Sequence, residues 1–205
     1  MSTGGSLPVT GVVLAGGASR RMGRNKAFLD LGGRPLIAIV IEHIAAVCAE
    51  VLIVTGDAAP YSELGVRVVE DRFPGVGVLG GLHAGLETAS HDLILAVGCD
   101  MPFLEPMLLR AVVEWAEGVD AVVLRQGEYV EPLHGAYRRS CLPAIETAIL
   151  SGRRRVVSFF SSVNVRYVTP EDVAPFDPEL RSIRNINTPE EWEAVQRETG
   201  AQSDF

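Results

Sequence analysis

The sequence predicts an α/β fold of three layers, α/β/α, with a mostly parallel central sheet covered by helices on both faces. Three observations carry that expectation. Residues 11–15, 51–54 and 93–97 are short apolar runs of the kind found in strands buried on both faces. Segments with apolar residues at helical spacing lie between them. The two kinds alternate along the first 125 or so residues, and strands joined through helices pair in parallel.

Each element follows from local signals. Residues 35–47 carry Leu36, Ile39, Val40, Ile44 and Val47 on one face, with Pro35 suited to a first helical position. The strand at 51–54 ends at Thr55-Gly56-Asp57, and a short strand follows at 66–70. A helix entered through glycines is expected over 80–89, a buried strand at 93–97, a helix at 105–117 and a strand at 121–124. The second half is less regular: a strand at 133–137, a helix at 141–150 and a strand at 165–168. Thr188-Pro189-Glu190-Glu191 has the form of a helix start, with Thr188 as N-cap and Glu191 reaching back. Residues 11–198 are expected to form a single domain, with 1–10 and 199–205 flexible.

Composition excludes several roles. A net charge of −8 argues against a nucleic-acid or membrane-surface binder, because both depend on a broad positive excess. No apolar run approaches a membrane span, and the first ten residues lack the pattern of a secretory signal, so a cytoplasmic protein is expected. Cys48, Cys99 and Cys141 are odd in number and widely spaced, which suggests reduced thiols packed in the core.

The chemistry concentrates in the loop after the first strand. The chain has seventeen arginines and a single lysine, Lys26, which closes Leu14-Ala15-Gly16-Gly17-Ala18-Ser19-Arg20-Arg21-Met22-Gly23-Arg24-Asn25-Lys26. Lysine among so many arginines points to a place where a compact ammonium works and a planar fork does not. Glycines let backbone N–H groups approach an oxygen anion closely, and four nearby cations neutralise it. The loop therefore reads as a phosphate cradle, although not of the Walker type, since no Ser or Thr follows the lysine.

A competing motif is Gly75-Val76-Gly77-Val78-Leu79-Gly80, which satisfies the dinucleotide fingerprint G-x-G-x-x-G and would make the protein an NAD(P)-dependent oxidoreductase. Asp71-Arg72-Phe73-Pro74 separates it from the preceding strand, whereas the fingerprint needs the strand to lead straight into the turn. Asp100, at the exit of the buried strand 93–97, sits where α/β sheets bind ligands and can give an oxygen to Mg²⁺. Asp71 also follows a strand, and lines the same cleft or shapes a turn. Arg153-Arg154-Arg155 offers a second anion site or an exposed helix end. Asn185 and Asn187 place two amides on one side of an extended segment, for the cleft or for a turn. His134 reads as a packed histidine.

Taken together, these stretches resemble nucleotidyltransferases with the Rossmann-like, glycosyltransferase-A type fold, the nucleotide-diphospho-sugar transferase architecture. Within that group the chain looks like the molybdenum cofactor guanylyltransferase family, which joins GMP from GTP to molybdopterin or molybdenum-molybdopterin. The resemblance rests on the loop 14–26, on Val69-Glu70-Asp71, on Cys99-Asp100-Met101-Pro102 and on Asn185-Ile186-Asn187-Thr188-Pro189-Glu190-Glu191, with 152–156 in support. It implies that Leu14, Ala15, Gly16, Gly17 and Asp71 contact the nucleotide, that Lys26 and Arg21 hold phosphates, and that Asp100 ligates Mg²⁺. It further implies molybdopterin contacts at Asn185 and Asn187, with Arg154 and Arg155 as additional candidates, and exchange with molybdenum-insertion and molybdoenzyme-maturation proteins. Two features depart from the family pattern: Val54-Thr55-Gly56 stands where relatives often have asparagine, and Gly77-Val78-Leu79-Gly80-Gly81 lacks a proline. A cytidylyl- or sugar-1-phosphate nucleotidyltransferase, and a nucleotide sensor without turnover, are the alternatives.

Overall fold

The computed structural model describes residues 5–16 and 25–200; the expectations for Gly17, Arg21 and both extreme termini lie outside the described residues. Seven strands make one sheet in the order β3-β2-β1-β4-β6-β5-β7. They are β1 (Leu7–Leu14), β2 (Cys48–Thr55), β3 (Arg67–Glu70), β4 (Leu93–Gly98), β5 (Ala121–Gln126), β6 (Tyr129–Arg138) and β7 (Val165–Val168). Parallel pairing joins β3, β2, β1 and β4, and also β5 with β7. Only β6 runs the other way, antiparallel to both β4 and β5. Its first half therefore lies at the edge where the parallel strands end, the edge at which ligands gather in such sheets.

Helices α1 (Leu36–Ala45) and α3 (Pro106–Trp115) cover one face, and α2 (Val78–Thr88) and α4 (Leu142–Leu150) the other. The alternation of strand side chains sorts the core into two halves. Val13, Ile53 and Leu95 meet Ile37, Val40, Ile44 and Leu109, whereas Val12, Leu52 and Ile94 meet Leu79, Leu82, Leu86 and Ile145. Ile53 and Leu52 are fully buried, and each contributes about 2 kcal/mol. Helix α2 sits unusually close to the sheet: a Cβ at Gly85 would fall 2.8 Å from Val12 Cγ1, so glycine is needed for this approach. The far end of α2 is held by Arg139, whose guanidinium donates to the carbonyls of Leu86 at 2.9 Å, Ala89 at 2.6 Å and His91 at 3.2 Å.

The strand β1 starts at Leu7, ahead of the expected 11. Residues 1–10 are expected from the sequence to be flexible, but Thr10 is buried and its hydroxyl donates to Glu50 Oε2 at 2.6 Å. Glu50 also accepts from Ser90 N and Oγ at 2.8 and 2.9 Å, so the polar side chain is satisfied inside the sheet. His134 is buried, as expected, and has a φ of 66°. Ser182 Oγ accepts from Glu105 N at 2.9 Å and lies within hydrogen-bond distance of His134 Nε2, at 2.8 Å. Two more helices follow, the single-turn α5 (Pro170–Val173) and α6 (Pro189–Thr199), the latter with the anticipated Thr188–Glu191 capping box. Burial pushes the thiols of Cys48 and Cys141 up to about 12, which suits unreactive packing. Among the described residues no helix is long and apolar enough to cross a membrane.

Candidate active site

The carboxyl ends of β1 and β4 lie side by side, with Leu14 paired to Gly98. The chain leaves β1 through Ala15 and Gly16. Leu14 O accepts from Cys99 N at 3.1 Å, and Ala15 N donates to Val54 O at 2.8 Å. Ala15 O then receives two hydroxyls, Thr55 Oγ1 and Tyr61, each at 3.2 Å. Burial raises the Tyr61 phenol above its usual range, so it remains a donor. Gly16 is exposed, and a Cβ there would meet nothing within 4 Å among the described residues, so no contact within the chain requires its glycine.

The return of the loop is equally well fixed. Asn25 caps the short 3₁₀ helix Lys26–Phe28, accepting from Ala27 N at 3.1 Å, and its amide donates to Tyr61 Oη at 3.1 Å. Tyr61 thus ties both ends of the loop together. This sets Lys26 against Asp100: Nζ lies 2.6 Å from Oδ2, with side-chain exposures of 19% and 15%. A pair so far withdrawn from water interacts much more strongly than a surface ion pair. Asp100 Oδ1 lies over Gly98, where a Cβ would fall 2.6 Å from it, so the glycine leaves room for the carboxylate.

The C-terminal asparagine segment joins the same site. Ile186 N donates to Asp100 O at 3.0 Å, and Asn187 Oδ1 accepts from Lys26 Nζ at 3.0 Å. Asn185 Oδ1 is buried and has no hydrogen-bond partner among the described residues. Lys26, Asp100 and Asn187 are therefore in direct contact. Asp71 is held differently: its Oδ1 accepts from Phe73 N at 2.7 Å, the turn-forming alternative, while its carboxylate packs on Gly80 of α2. The glycines at 75–80 belong to the entry of α2 after the edge strand β3, with Asp71 to Pro74 intervening. Arg154 donates to Gly75 O at 2.9 Å, and Arg155 is exposed just beyond α4; neither contacts Lys26 or Asp100.

Glu131, on β6, was not singled out from the sequence. It is buried, with Oε1 accepting from Leu133 N at 3.0 Å and Oε2 from the Tyr129 hydroxyl at 2.9 Å. Burial raises its carboxyl above the usual range, and the charge of Asp100 adds to the rise against these two donors. Burial likewise pushes the neighbouring Cys99 thiol up to about 12, so it supplies no thiolate.

A lysine paired with an aspartate where two adjacent parallel strands end, in a sequence whose first strand runs into glycines, is the arrangement expected of a nucleotidyltransferase. Residues 11–166 match the MobA-like NTP transferase domain, and the chain belongs to that family. It is 40% identical over 183 residues to a protein of Pelotomaculum thermopropionicum described as a probable molybdenum cofactor guanylyltransferase, a match covering 89% of each chain. A molybdenum cofactor guanylyltransferase of Desulfosudis oleivorans is 37% identical, over 92% of this chain and 94% of its own. Among solved structures, the molybdopterin-guanine dinucleotide biosynthesis protein A of Archaeoglobus fulgidus superposes with a TM-score of 0.82 at 30% identity, covering 95% of this chain and all of the other. The architecture is that of the nucleotide-diphospho-sugar transferases, as the sequence implied.

Proposed function

We infer that this protein transfers GMP from GTP to molybdopterin, with or without molybdenum, forming molybdopterin guanine dinucleotide and pyrophosphate. The observation that carries the reading is the Lys26–Asp100 pair at the ligand edge of β1 and β4, in a chain similar along most of its length to guanylyltransferases. The terminal phosphate of molybdopterin attacks the α-phosphorus of GTP in line as the bond to pyrophosphate breaks, and no nucleophilic side chain is required.

The chain supplies position and charge. Leu14, Ala15, Gly16, Gly17 and Asp71 contact the nucleotide in this reading. Lys26, joined by Arg21, neutralises the departing pyrophosphate. Asn185, Asn187, Arg154 and Arg155 are assigned to the acceptor. Asp100 and Asn187 present oxygens to one cation, the Lys26 ammonium, and such hard oxygen donors fit Mg²⁺. Asp100 would hold the Mg²⁺, which supplies Lewis-acid neutralisation of the reacting phosphates. The reading also entails one nucleotidyltransferase domain from β1 through α6, work in the cytoplasm, and exchange with molybdenum-insertion and molybdoenzyme-maturation proteins.

Pyrophosphate release from Mg-GTP and molybdopterin tests the assignment, with ATP, CTP and sugar 1-phosphates as competing substrates. Lys26→Ala and Asp100→Ala are each expected to lower kcat/KM on the order of 10²-fold or more, and Lys26→Arg to rescue little. Saturable GTP binding without pyrophosphate release would make the protein a sensor, and near-normal turnover by a folded Lys26→Ala protein would remove the lysine from the mechanism.

A further inference from the structure

The Lys26 ammonium has two acceptors from distant parts of the chain, Asp100 Oδ2 at 2.6 Å and Asn187 Oδ1 at 3.0 Å. Neither is loosely placed. Asp100 lies two residues past the end of β4, and its carbonyl accepts from Ile186 N. Ile186 is fully buried in a small core with Leu31, Leu36, Trp192 and Val195. Asn187 N donates to Glu191 Oε2 at 2.6 Å, as does Thr188 N at 3.0 Å, so the cap of α6 fixes the backbone that carries the amide. Although Asn187 is exposed, its position is set by a buried neighbour on one side and a capped helix on the other.

We propose that Asn187 is a positioning residue that holds the Lys26 ammonium on Asp100, making that ammonium a built-in competitor of the divalent cation. The inference rests on the reading of Asp100 as the metal carboxylate. An ammonium donating to Oδ2 and a divalent cation coordinating Oδ2 repel each other at close range in a partly dehydrated site. The cation then binds well only when the ammonium leaves. A triphosphate draws Lys26 towards its own oxygens and so frees Asp100, which couples nucleotide binding to metal binding. Asn187 sets how firmly the ammonium is held, and hence the strength of the coupling. A lysine suits this exchange because it is a flexible point charge, whereas an arginine fork engages a carboxylate through two bonds at once.

Mn²⁺ binding to the full chain without nucleotide, read from the electron paramagnetic resonance signal of free Mn²⁺, tests the proposal without any turnover. Lys26→Met and Lys26→Gln are expected to tighten Mn²⁺ binding by about 10-fold, within the range typical of coupled sites. Asn187→Ala should tighten it too, by a smaller factor, and leave thermal unfolding close to wild type. Unchanged Mn²⁺ affinity in both Lys26 variants would overturn the competition while leaving Asp100 as the metal ligand. Weaker Mn²⁺ binding in Asn187→Ala would make the amide a ligand rather than a positioner, and would equally overturn it. Loss of Mn²⁺ binding in Asp100→Ala alone supports the underlying assignment; failure of every form, wild type included, to bind Mn²⁺ would end both.

Discussion

His134 gives the fold a definite response to acid. The imidazole is buried beside Ser182, and burial pulls its pKa from 6.5 down to about 4. An unfolded chain takes up this proton near neutrality while the native chain refuses it, so stability is full above the unfolded value and is lost as pH falls towards the folded one. With one proton taken up only by the unfolded state, at about 1.4 kcal/mol per pK unit, moving from about pH 7.5 to about pH 5 removes about 2 kcal/mol. For a urea m-value of about 2 kcal/mol/M, the unfolding midpoint falls by about 1 M. The comparison is with His134→Asn, since asparagine tolerates the positive φ of 66° at this position. The variant is less stable overall because it loses ring volume, so the change between the two pH values decides the matter. His43, also lowered, with burial as its largest cause, contributes equally to both proteins and cancels in the difference. If the variant loses as much stability on acidification as wild type, His134 is not the acid-sensitive group and the reasoning fails.

Two further expectations concern carboxylates, Glu131 and Asp71. Glu131 has a raised pKa, so its contribution is fully present below the unfolded carboxyl value and fades as pH rises through the folded one; Glu131→Gln, which keeps an acceptor for Leu133 N, should raise the urea midpoint near pH 8 relative to wild type and lose that advantage near pH 4. A larger gain in acid than in alkali would contradict the burial argument. Gly80→Ala places a Cβ 2.7 and 2.8 Å from the Asp71 carboxylate oxygens and must turn that side chain away, while alanine favours the helix by about 1 kcal/mol. Unfolding temperature should therefore change little and KM for GTP rise about 10-fold, whereas an unchanged KM would remove Asp71 from nucleotide binding.

The sheet was legible because its strands announce themselves locally. Val12, Ile53 and Leu95 lie in runs too apolar for anything but a doubly covered strand, and Pro35 and Thr188 marked helix starts that depend only on near neighbours. The reversal of β6 was less visible, because direction is set by a turn and by pairing with two strands rather than by composition. In the site, Lys26 stood out as the lone lysine and Asp100 as a strand-end carboxylate. Their partners did not. Tyr61 and Thr55 matter through the Ala15 carbonyl, and Asn187, although singled out as an amide for the cleft or a turn, gave no sign that it reaches Lys26 across 161 residues of sequence. Glu131 did not stand out, because nothing local shows that Tyr129 and Leu133 donate to its carboxylate.

The reversed strand has a consequence for how such a cleft can diversify. Since β6 enters from the ligand edge, its first half, with Glu131, forms the wall on one side of Asp100, whereas the segment that carries Lys26 stands on the other. A hairpin tip can lengthen, shorten or change side chains without re-routing any helix across the sheet. The two walls are thus free to vary separately.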